Sequence, residues 1–161
     1  MNLIQDDNAL AAKQLAAVSV LAQKRANHRI LLVDDEDDRR QLSFDVLVDA
    51  NYEVDAAVDG ADGWELLLAK HFDLVITDNK MPRMTGVELI AKLRHTRLPL
   101  PVIMATSQLP ALEFERKPWL QPDAFLQRPF SNEDLLAAVK RVLRTDGPVW
   151  SQTEMLPPKI P

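Results

Sequence analysis

Apolar residues recur along most of the chain in two alternating patterns. Short, nearly continuous apolar runs are typical of buried strands, and between them apolar residues recur every three or four positions, as on one face of a helix. The predicted strands are 29–33, 53–57, 74–77, 102–105 and 124–127, of which 53–57 alternates like a strand of lesser burial. This order predicts an α/β fold, namely a doubly wound five-stranded parallel sheet with helices on both faces.

The segments between the predicted strands show helical spacing. The first helix should turn one apolar side inward, formed by Leu42, Val46, Leu47 and Ala50. It should stop at Asn51, a residue that tolerates the left-handed turn after a helix. Further helices are predicted at 60–69, at 87–94 and after 131, where Ser131-Asn-Glu-Asp134 is typical of a capping box.

Prolines interrupt the segment before the fifth strand. Pro110 can occupy a first helical turn, but Pro118 should end the helix by Lys117. About two turns then remain. Phe114 and Trp119 either fill the core here or form part of a docking face.

The chain divides into three predicted regions. Residues 1–27 form an amino-terminal helix or extension, 28–144 the main domain, and 145–161 a Pro-rich carboxy-terminal tail. The helix, at about 8–25, lacks a sustained heptad pattern, which leaves two alternatives open. In the first, the helix lies on its own domain or frays in solution. In the second, it pairs with a partner protein or with a second copy of the chain in a possible homodimer.

Composition excludes several classes of function. The 161 residues are 47% hydrophobic and 27% charged, with a formal net charge of −5, so a broad basic face for direct DNA binding is not expected. There is no cysteine, and hence no disulfide or thiolate site. Asp6 and Asp7 stand where a signal peptide would be positively charged, and no apolar run is long enough to cross a membrane. A cytoplasmic protein is the expected class.

Polar residues that could bind a ligand or take part in a reaction follow four of the predicted strands. They are Asp34, Asp35, Asp78, Thr106 and Arg128. In a parallel sheet these positions share one edge, where ligands bind. Carboxylates about 5 Å apart repel by roughly 3 kcal/mol per pair at an effective dielectric constant of 20, and Mg²⁺ would relieve that repulsion. Each residue alone has a structural alternative, such as a helix cap, a turn or an ion pair.

Several short motifs are spaced along the main domain. They are Ile30-Leu-Leu-Val-Asp-Asp-Glu36, Asn51-Tyr-Glu-Val54, Asp59-Gly60, Asp73-Leu-Val-Ile-Thr-Asp78, Met81-Pro-Arg-Met-Thr-Gly86 and Arg128-Pro-Phe130. Together they make the sequence resemble the response regulator receiver domain of two-component signalling, from about 28 to 144. The resemblance implies a flavodoxin-like (βα)5 fold. A stand-alone receiver is expected because the 17 residues after Arg144 are too few for an output domain.

The resemblance also implies roles for acidic residues. Asp78 would be the phosphoacceptor, modified by a sensor histidine kinase or phosphotransfer protein. Asp34, Asp35 and Asp78 would bind Mg²⁺, together with the backbone carbonyl of Lys80. The protein would not be an enzyme beyond catalysing its own phosphorylation and dephosphorylation, and it would signal by contact with an unknown downstream protein.

Three further residues take roles from the same resemblance. Thr106 would hydrogen-bond a phosphoryl oxygen, and Thr106 with Phe125 would form the switch, although a phenylalanine at 125 also suits a plain core position. Arg128 stands where the family carries lysine. It either reaches the phosphoryl group with its planar fork or pairs permanently with Asp78, and we expect slower phosphorylation or an altered lifetime. The Arg128–Pro129 bond is expected to be cis.

Two other functions remain as alternatives. One is a receiver-like interaction module that no longer depends on phosphorylation, suggested by Arg128 and the interrupted helix. The other is a Mg²⁺-dependent phosphohydrolase that would use Asp35 and Asp37 as a nucleophile pair. Arg39 and Arg40 stand where that enzyme class has small or apolar residues, which argues against it.

Overall fold

Five parallel strands form a single sheet in the computed structural model, which describes residues 28–143 together with Lys13. The strands are β1 (Arg29–Val33), β2 (Glu53–Ala57), β3 (Leu74–Thr77), β4 (Val102–Thr106) and β5 (Ala124–Gln127). Their order in the sheet is β2-β1-β3-β4-β5. The predicted sheet is therefore confirmed, whereas the predicted amino-terminal helix, Lys13 apart, and the Pro-rich tail lie outside the described residues.

Helices follow the strands at nearly the predicted bounds. They are α1 (Asp37–Asp49), α2 (Gly60–Ala69), α3 (Gly86–His95), α4 (Ala111–Arg116) and α5 (Asn132–Val142). Asn51 takes the left-handed conformation after α1, with φ of 66°. Ser131 and Asp134 form the predicted capping box of α5. Within residues 28–143 we find no helix with the length and apolar character needed to span a membrane.

Both faces of the sheet are covered, and each carries its own apolar core. Alternation along β1 sends Leu31 and Val33 to the side covered by α2, α3 and α4. Ile30 and Leu32 point to the opposite side, which α1 and α5 cover. This double winding leaves the carboxyl edge of the sheet uncovered by helices and available for a site.

One predicted core position in α1 is wrong. Leu47 is fully buried, but Leu42 is 60% exposed. Five helical residues separate the two side chains by about 140° around the helix axis, so both cannot face the sheet. The helical period was predicted correctly, but the prediction was wrong about which side of α1 faces the sheet.

The proline-interrupted segment is short, as predicted. Helix α4 ends at Arg116, and a 3-10 turn follows at Pro118–Leu120. Phe114 and Leu120 are buried in the core, whereas Trp119 is exposed. Phe114 therefore fills the core, and Trp119 does not.

Asp59 of the Asp-Gly motif begins α2. Its buried carboxylate accepts hydrogen bonds from the backbone amides of Ala61 at 2.9 Å and Asp62 at 3.0 Å. It also accepts one from Nε of Arg83, at 2.5 Å, in the loop before α3. The motif thus caps one helix and ties it to the neighbouring loop.

Candidate functional site

Two buried carboxylates lie side by side where β1 and β3 end. The amide of Asp34 donates to the carbonyl of Ala57 at 3.2 Å, and the amide of Asp78 donates to the carbonyl of Val33 at 3.0 Å. The side chains of Asp34 and Asp78 are 3% and 7% exposed. The sheet itself therefore places both acids.

Asp35 completes an acidic cluster at this edge. One carboxylate oxygen from each of Asp34, Asp35 and Asp78 lies within 4.8 Å of the others. Asp34 also accepts a hydrogen bond from the amide of Glu36 at 2.9 Å, just before α1 begins. The predicted convergence of the three carboxylates is observed. The bond from the Glu36 amide is a turn contact, and α1 begins at its N-cap, Glu36, without a side-chain cap.

Arg128 reaches into the cluster from the end of β5. Its Nη1 donates to Oδ2 of Asp78 at 2.8 Å, and its Nη2 donates to Oδ2 of Asp34 at 2.5 Å. The amide of Arg128 donates to the carbonyl of Thr106 at 3.0 Å, and the Arg128–Pro129 bond is cis, as expected. The guanidinium pairs with Asp78 in this unphosphorylated structure, and both alternatives for Arg128, contact with a phosphoryl group or a permanent pair, remain predictions.

A second cation, Arg39, was missed by the sequence analysis. Its Nη2 donates to Oδ1 of Asp34 at 3.0 Å and lies 3.4 Å from Oδ2 of Asp78 and 3.6 Å from Oδ1 of Asp35. The hydrogen bond with Asp34 raises the pKa of the Arg39 guanidinium above its usual value. We expected one positively charged side chain at the cluster, and the structure places two there, Arg128 and Arg39.

A signal for Arg39 was present in the sequence. It stands four residues after Asp35, on the first turn of α1, and also pairs with Glu36. Helical side chains lean toward the amino terminus, so this spacing directs Arg39 toward the end of β1.

Backbone contacts after β3 shape the loop around Asp78. The amide of Asn79 donates to Oδ1 of Asp78 at 2.5 Å, and the amide of Gly86 donates to the carbonyl of Asn79 at 3.0 Å. A Cβ at Gly86 would collide with the carbonyl oxygen of Asp78. Only glycine allows α3 to begin this close to the backbone of Asp78 and Asn79.

Thr106 and Lys80 both contact Gln108 on the loop after β4. The buried Thr106 hydroxyl donates to the carbonyl of Gln108 at 3.3 Å and accepts from its amide at 3.4 Å. Nζ of Lys80 donates to Oε1 of Gln108 at 2.8 Å. The proposed roles of the Thr106 hydroxyl and the Lys80 carbonyl remain predictions.

Phe125 lies on β5 with its side chain turned outward. It is 38% exposed, and its ring packs at 58° to that of Phe114, with centroids 5.6 Å apart. Phe125 is thus not a plain core residue, and its role in a switch remains a prediction.

Solved structures of similar proteins share this fold. Vibrio cholerae chemotaxis protein CheY4 is 32% identical with a TM-score of 0.68, and the match covers 73% of this chain and all of that one. Thermotoga maritima response regulator TrrA, solved in complex with Mg²⁺ and BeF, is 29% identical with a TM-score of 0.64 over 72% of this chain and 99% of that one.

Curated relatives are longer proteins. Response regulator MprA of Mycobacterium sp. (strain KMS) is 35% identical over 125 residues, covering 74% of this chain and 52% of that protein. Transcriptional regulatory protein DltR of Streptococcus agalactiae is 32% identical over 117 residues, covering 73% of this chain and 51% of that protein. The chain therefore spans about half the length of these relatives.

The family assignment rests on the match and on the site together. The model of the response regulator receiver domain matches residues 30–140, which include the acidic cluster, Thr106 and Arg128. The fold confirms the expected flavodoxin-like (βα)5 arrangement. The chain belongs to the response regulator receiver domains, the signalling modules of two-component systems.

Proposed function

We propose that residues 28–143 accept a phosphoryl group on Asp78 from a phosphohistidine of a sensor histidine kinase or phosphotransfer protein. The observation that carries this proposal is the cluster at the sheet edge. A carboxylate held in place by the sheet stands beside two other carboxylates and two guanidinium groups. We expect this exchange to take place in the cytoplasm.

Asp78 would act as a nucleophile. One of its carboxylate oxygens forms a bond to phosphorus while the bond from phosphorus to the donor's imidazole nitrogen breaks. The bonding electrons stay on that nitrogen. The donor ring carries a proton on its other nitrogen, so it leaves as neutral imidazole, and the product is an acyl phosphate. The hydrogen bond from the Asn79 amide at 2.5 Å fixes Oδ1 of Asp78, so the carboxylate needs little reorientation to react.

Arg128 would supply a fixed positive charge at the reacting atoms. Its Nη1 lies 2.8 Å from Oδ2 of Asp78, close enough to contact phosphoryl oxygens attached to that carboxylate. A guanidinium offers a planar fork where the family's lysine offers one ammonium group, and this supports the expectation of an altered rate or lifetime.

The acidic cluster fits Mg²⁺ by its chemistry. Carboxylate oxygens are the hard donors that this ion prefers, and three of them lie within 4.8 Å of one another. Asp34, Asp35 and Asp78 would hold the ion, with the carbonyl of Lys80. Mg²⁺, when bound, would neutralise charge on the phosphoryl oxygens.

The signal would pass to another protein through Thr106 and Phe125. A phosphoryl group on Asp78 offers a new acceptor for the Thr106 hydroxyl, which now bonds the backbone of Gln108. Movement of Thr106 would leave room for the half-exposed Phe125 to turn inward. We expect an acidic surface of this kind to contact a protein and not DNA.

One observation favours the phosphorylation-independent alternative. Arg39 and Arg128 together place two positive charges on the three carboxylates, which lowers the electrostatic need for a metal ion. Such a domain would bind its partner protein without phosphorylation of Asp78.

Intact mass spectrometry separates the two functions. The full chain is incubated with MgCl₂ and acetyl phosphate, beside Asp78→Asn and a matched control, Asp49→Asn, which changes an exposed aspartate of α1. We expect an adduct of one phosphoryl group on the wild type and on Asp49→Asn and none on Asp78→Asn. No adduct on the wild type with acetyl phosphate or with a phosphohistidine donor would refute the proposed function.

A further inference from the structure

Arg39 contacts all three carboxylates of the proposed metal site. A single atom, Nη2, lies 3.0 Å from Asp34, 3.4 Å from Asp78 and 3.6 Å from Asp35. These are the same three carboxylates that would hold Mg²⁺. The guanidinium therefore neutralises part of the negative charge of the carboxylates, which otherwise attracts a divalent ion to this site.

The two arginines of the site differ in burial and in where their backbone is anchored. The Arg128 side chain is 16% exposed, and its backbone is bonded to the end of β4, whereas the Arg39 side chain is 35% exposed on the first turn of α1. A cavity of about 390 Å³ lies beside both, lined also by Leu42, Ser43 and Phe130. Arg39 has space to swing away from the carboxylates while it remains attached to α1.

Charge makes the presence of Arg39 and Mg²⁺ at the same oxygens unfavourable. Asp34, Asp35 and Asp78 supply three negative charges, and Arg39 and Arg128 already supply two positive ones. A divalent ion among the same oxygens would repel a guanidinium a few ångströms away, and less so once that guanidinium reached solvent.

We propose that Arg39 is a tethered cation that competes with Mg²⁺ for Asp34, Asp35 and Asp78, and so sets the metal affinity of the unphosphorylated protein. This inference rests on the proposed function, because it takes these carboxylates as the metal ligands. The ion must displace Arg39 in order to bind, and removal of the side chain should therefore tighten binding.

A purely structural role for Arg39 predicts a different result. The ion pairs with Asp35 and Glu36 are spaced as in ordinary helix-terminal pairs, and their loss would lower stability without improving metal binding. Metal affinity is thus the measurement that separates the two roles.

The test titrates MgCl₂ into the full chain at constant ionic strength and follows backbone amide shifts by NMR. Arg39→Met is compared with the wild type and with Arg116→Met, which removes the same charge from an exposed α4 residue that has no ion pair within residues 28–143. We expect the Mg²⁺ dissociation constant to fall roughly tenfold in Arg39→Met, as for loss of one nearby like charge, and by less than about twofold in Arg116→Met. Should Arg39→Met not fold, Arg39→Gln replaces it with the same expectation.

The outcomes distinguish this inference from the proposed function. If Arg39→Met binds Mg²⁺ no more tightly than Arg116→Met, or does not bind it, the competition is refuted. The proposed function still stands in that case if acetyl phosphate modifies Asp78. If neither the wild type nor Arg39→Met is modified with any donor, the proposed function is wrong, whatever their metal affinities.

Discussion

Arg128→Met removes the guanidinium that contacts the two most buried carboxylates of the site. The side chains of Asp34 and Asp78 are 3% and 7% exposed, and each accepts a hydrogen bond from Arg128. Each unit-charge pair at about 4 Å interacts by roughly 4 kcal/mol at an effective dielectric constant of 20. Loss of one partner from a buried pair costs about 3–5 kcal/mol, because the remaining charge is left buried.

Arg39 brings the expected cost to the lower end of this range. It remains 3.0 Å from Asp34 and 3.4 Å from Asp78 after the substitution, so neither carboxylate is left without a cation. We therefore expect Arg128→Met to lose about 3 kcal/mol in the free energy of unfolding in the presence of EDTA. Mg²⁺ should stabilise both proteins, and it should stabilise Arg128→Met more, because the loss of one positive charge from the cluster lets the variant bind the ion more tightly.

Urea unfolding followed by circular dichroism measures both quantities in the full chain. Arg116→Met serves as the control and should stay within about 0.5 kcal/mol of the wild type. A loss of less than about 1 kcal/mol for Arg128→Met in EDTA would show that the pairs with Arg128 do not hold the acidic cluster together. If Mg²⁺ raises the free energy of unfolding of neither protein, the metal site is contradicted.

Three further predictions concern the core, the loop and the dependence on pH. Leu47→Ala empties a fully buried position and should cost about 3 kcal/mol by urea unfolding, whereas Leu68→Ala on the exposed side of α2 should cost less than about 0.5 kcal/mol. Gly86→Ala puts a methyl group against the carbonyl of Asp78, and we expect slower phosphorylation by acetyl phosphate together with a lower melting temperature; an unchanged rate would contradict that contact. Burial alone would raise the pKa of Asp59, but hydrogen bonds from the α2 backbone and from an arginine bring it below its usual value. The unfolded chain then binds the proton more readily, so stability should fall as the pH drops from about 5 toward 3, and less steeply in Asp59→Asn; equal slopes in the two proteins would refute this assignment.

The three central strands, β1, β3 and β4, were predictable because they are buried on both faces. A strand covered by helices on two sides has to be apolar at nearly every position, and Leu74–Thr77 shows that signal without a periodicity argument. Phe114 and Trp119 are different, because both suit a core or a surface, and only the path of the short α4 decides between them. The prediction that Leu42 is buried was wrong for a similar reason, since the rotation of α1 about its axis depends on its packing against the sheet.

The acidic residues of the site were also predictable, but its full set of cations was not. Asp34 and Asp78 follow strands directly, so the topology alone places them together. Arg39 reaches the cluster through a long side chain from a helix, and its direction depends on the helix start and on open space beside it. Arg40, its neighbour on α1, bonds the carbonyl of Asp34 instead of its carboxylate. Composition cannot tell these two arginines apart.

The backbone hydrogen bonds that join Asp34 and Asp78 to the sheet have a consequence for how such a site can change. The hydrogen bonds between the strands fix the distance between the backbones of the two acids, so this distance cannot change without damage to the sheet. A change to the site that leaves the sheet intact therefore has one route, which is to exchange the positively charged side chains that approach from α1 and from the end of β5. Engineering of the response time in this chain should begin at those positions and leave the aspartates in place.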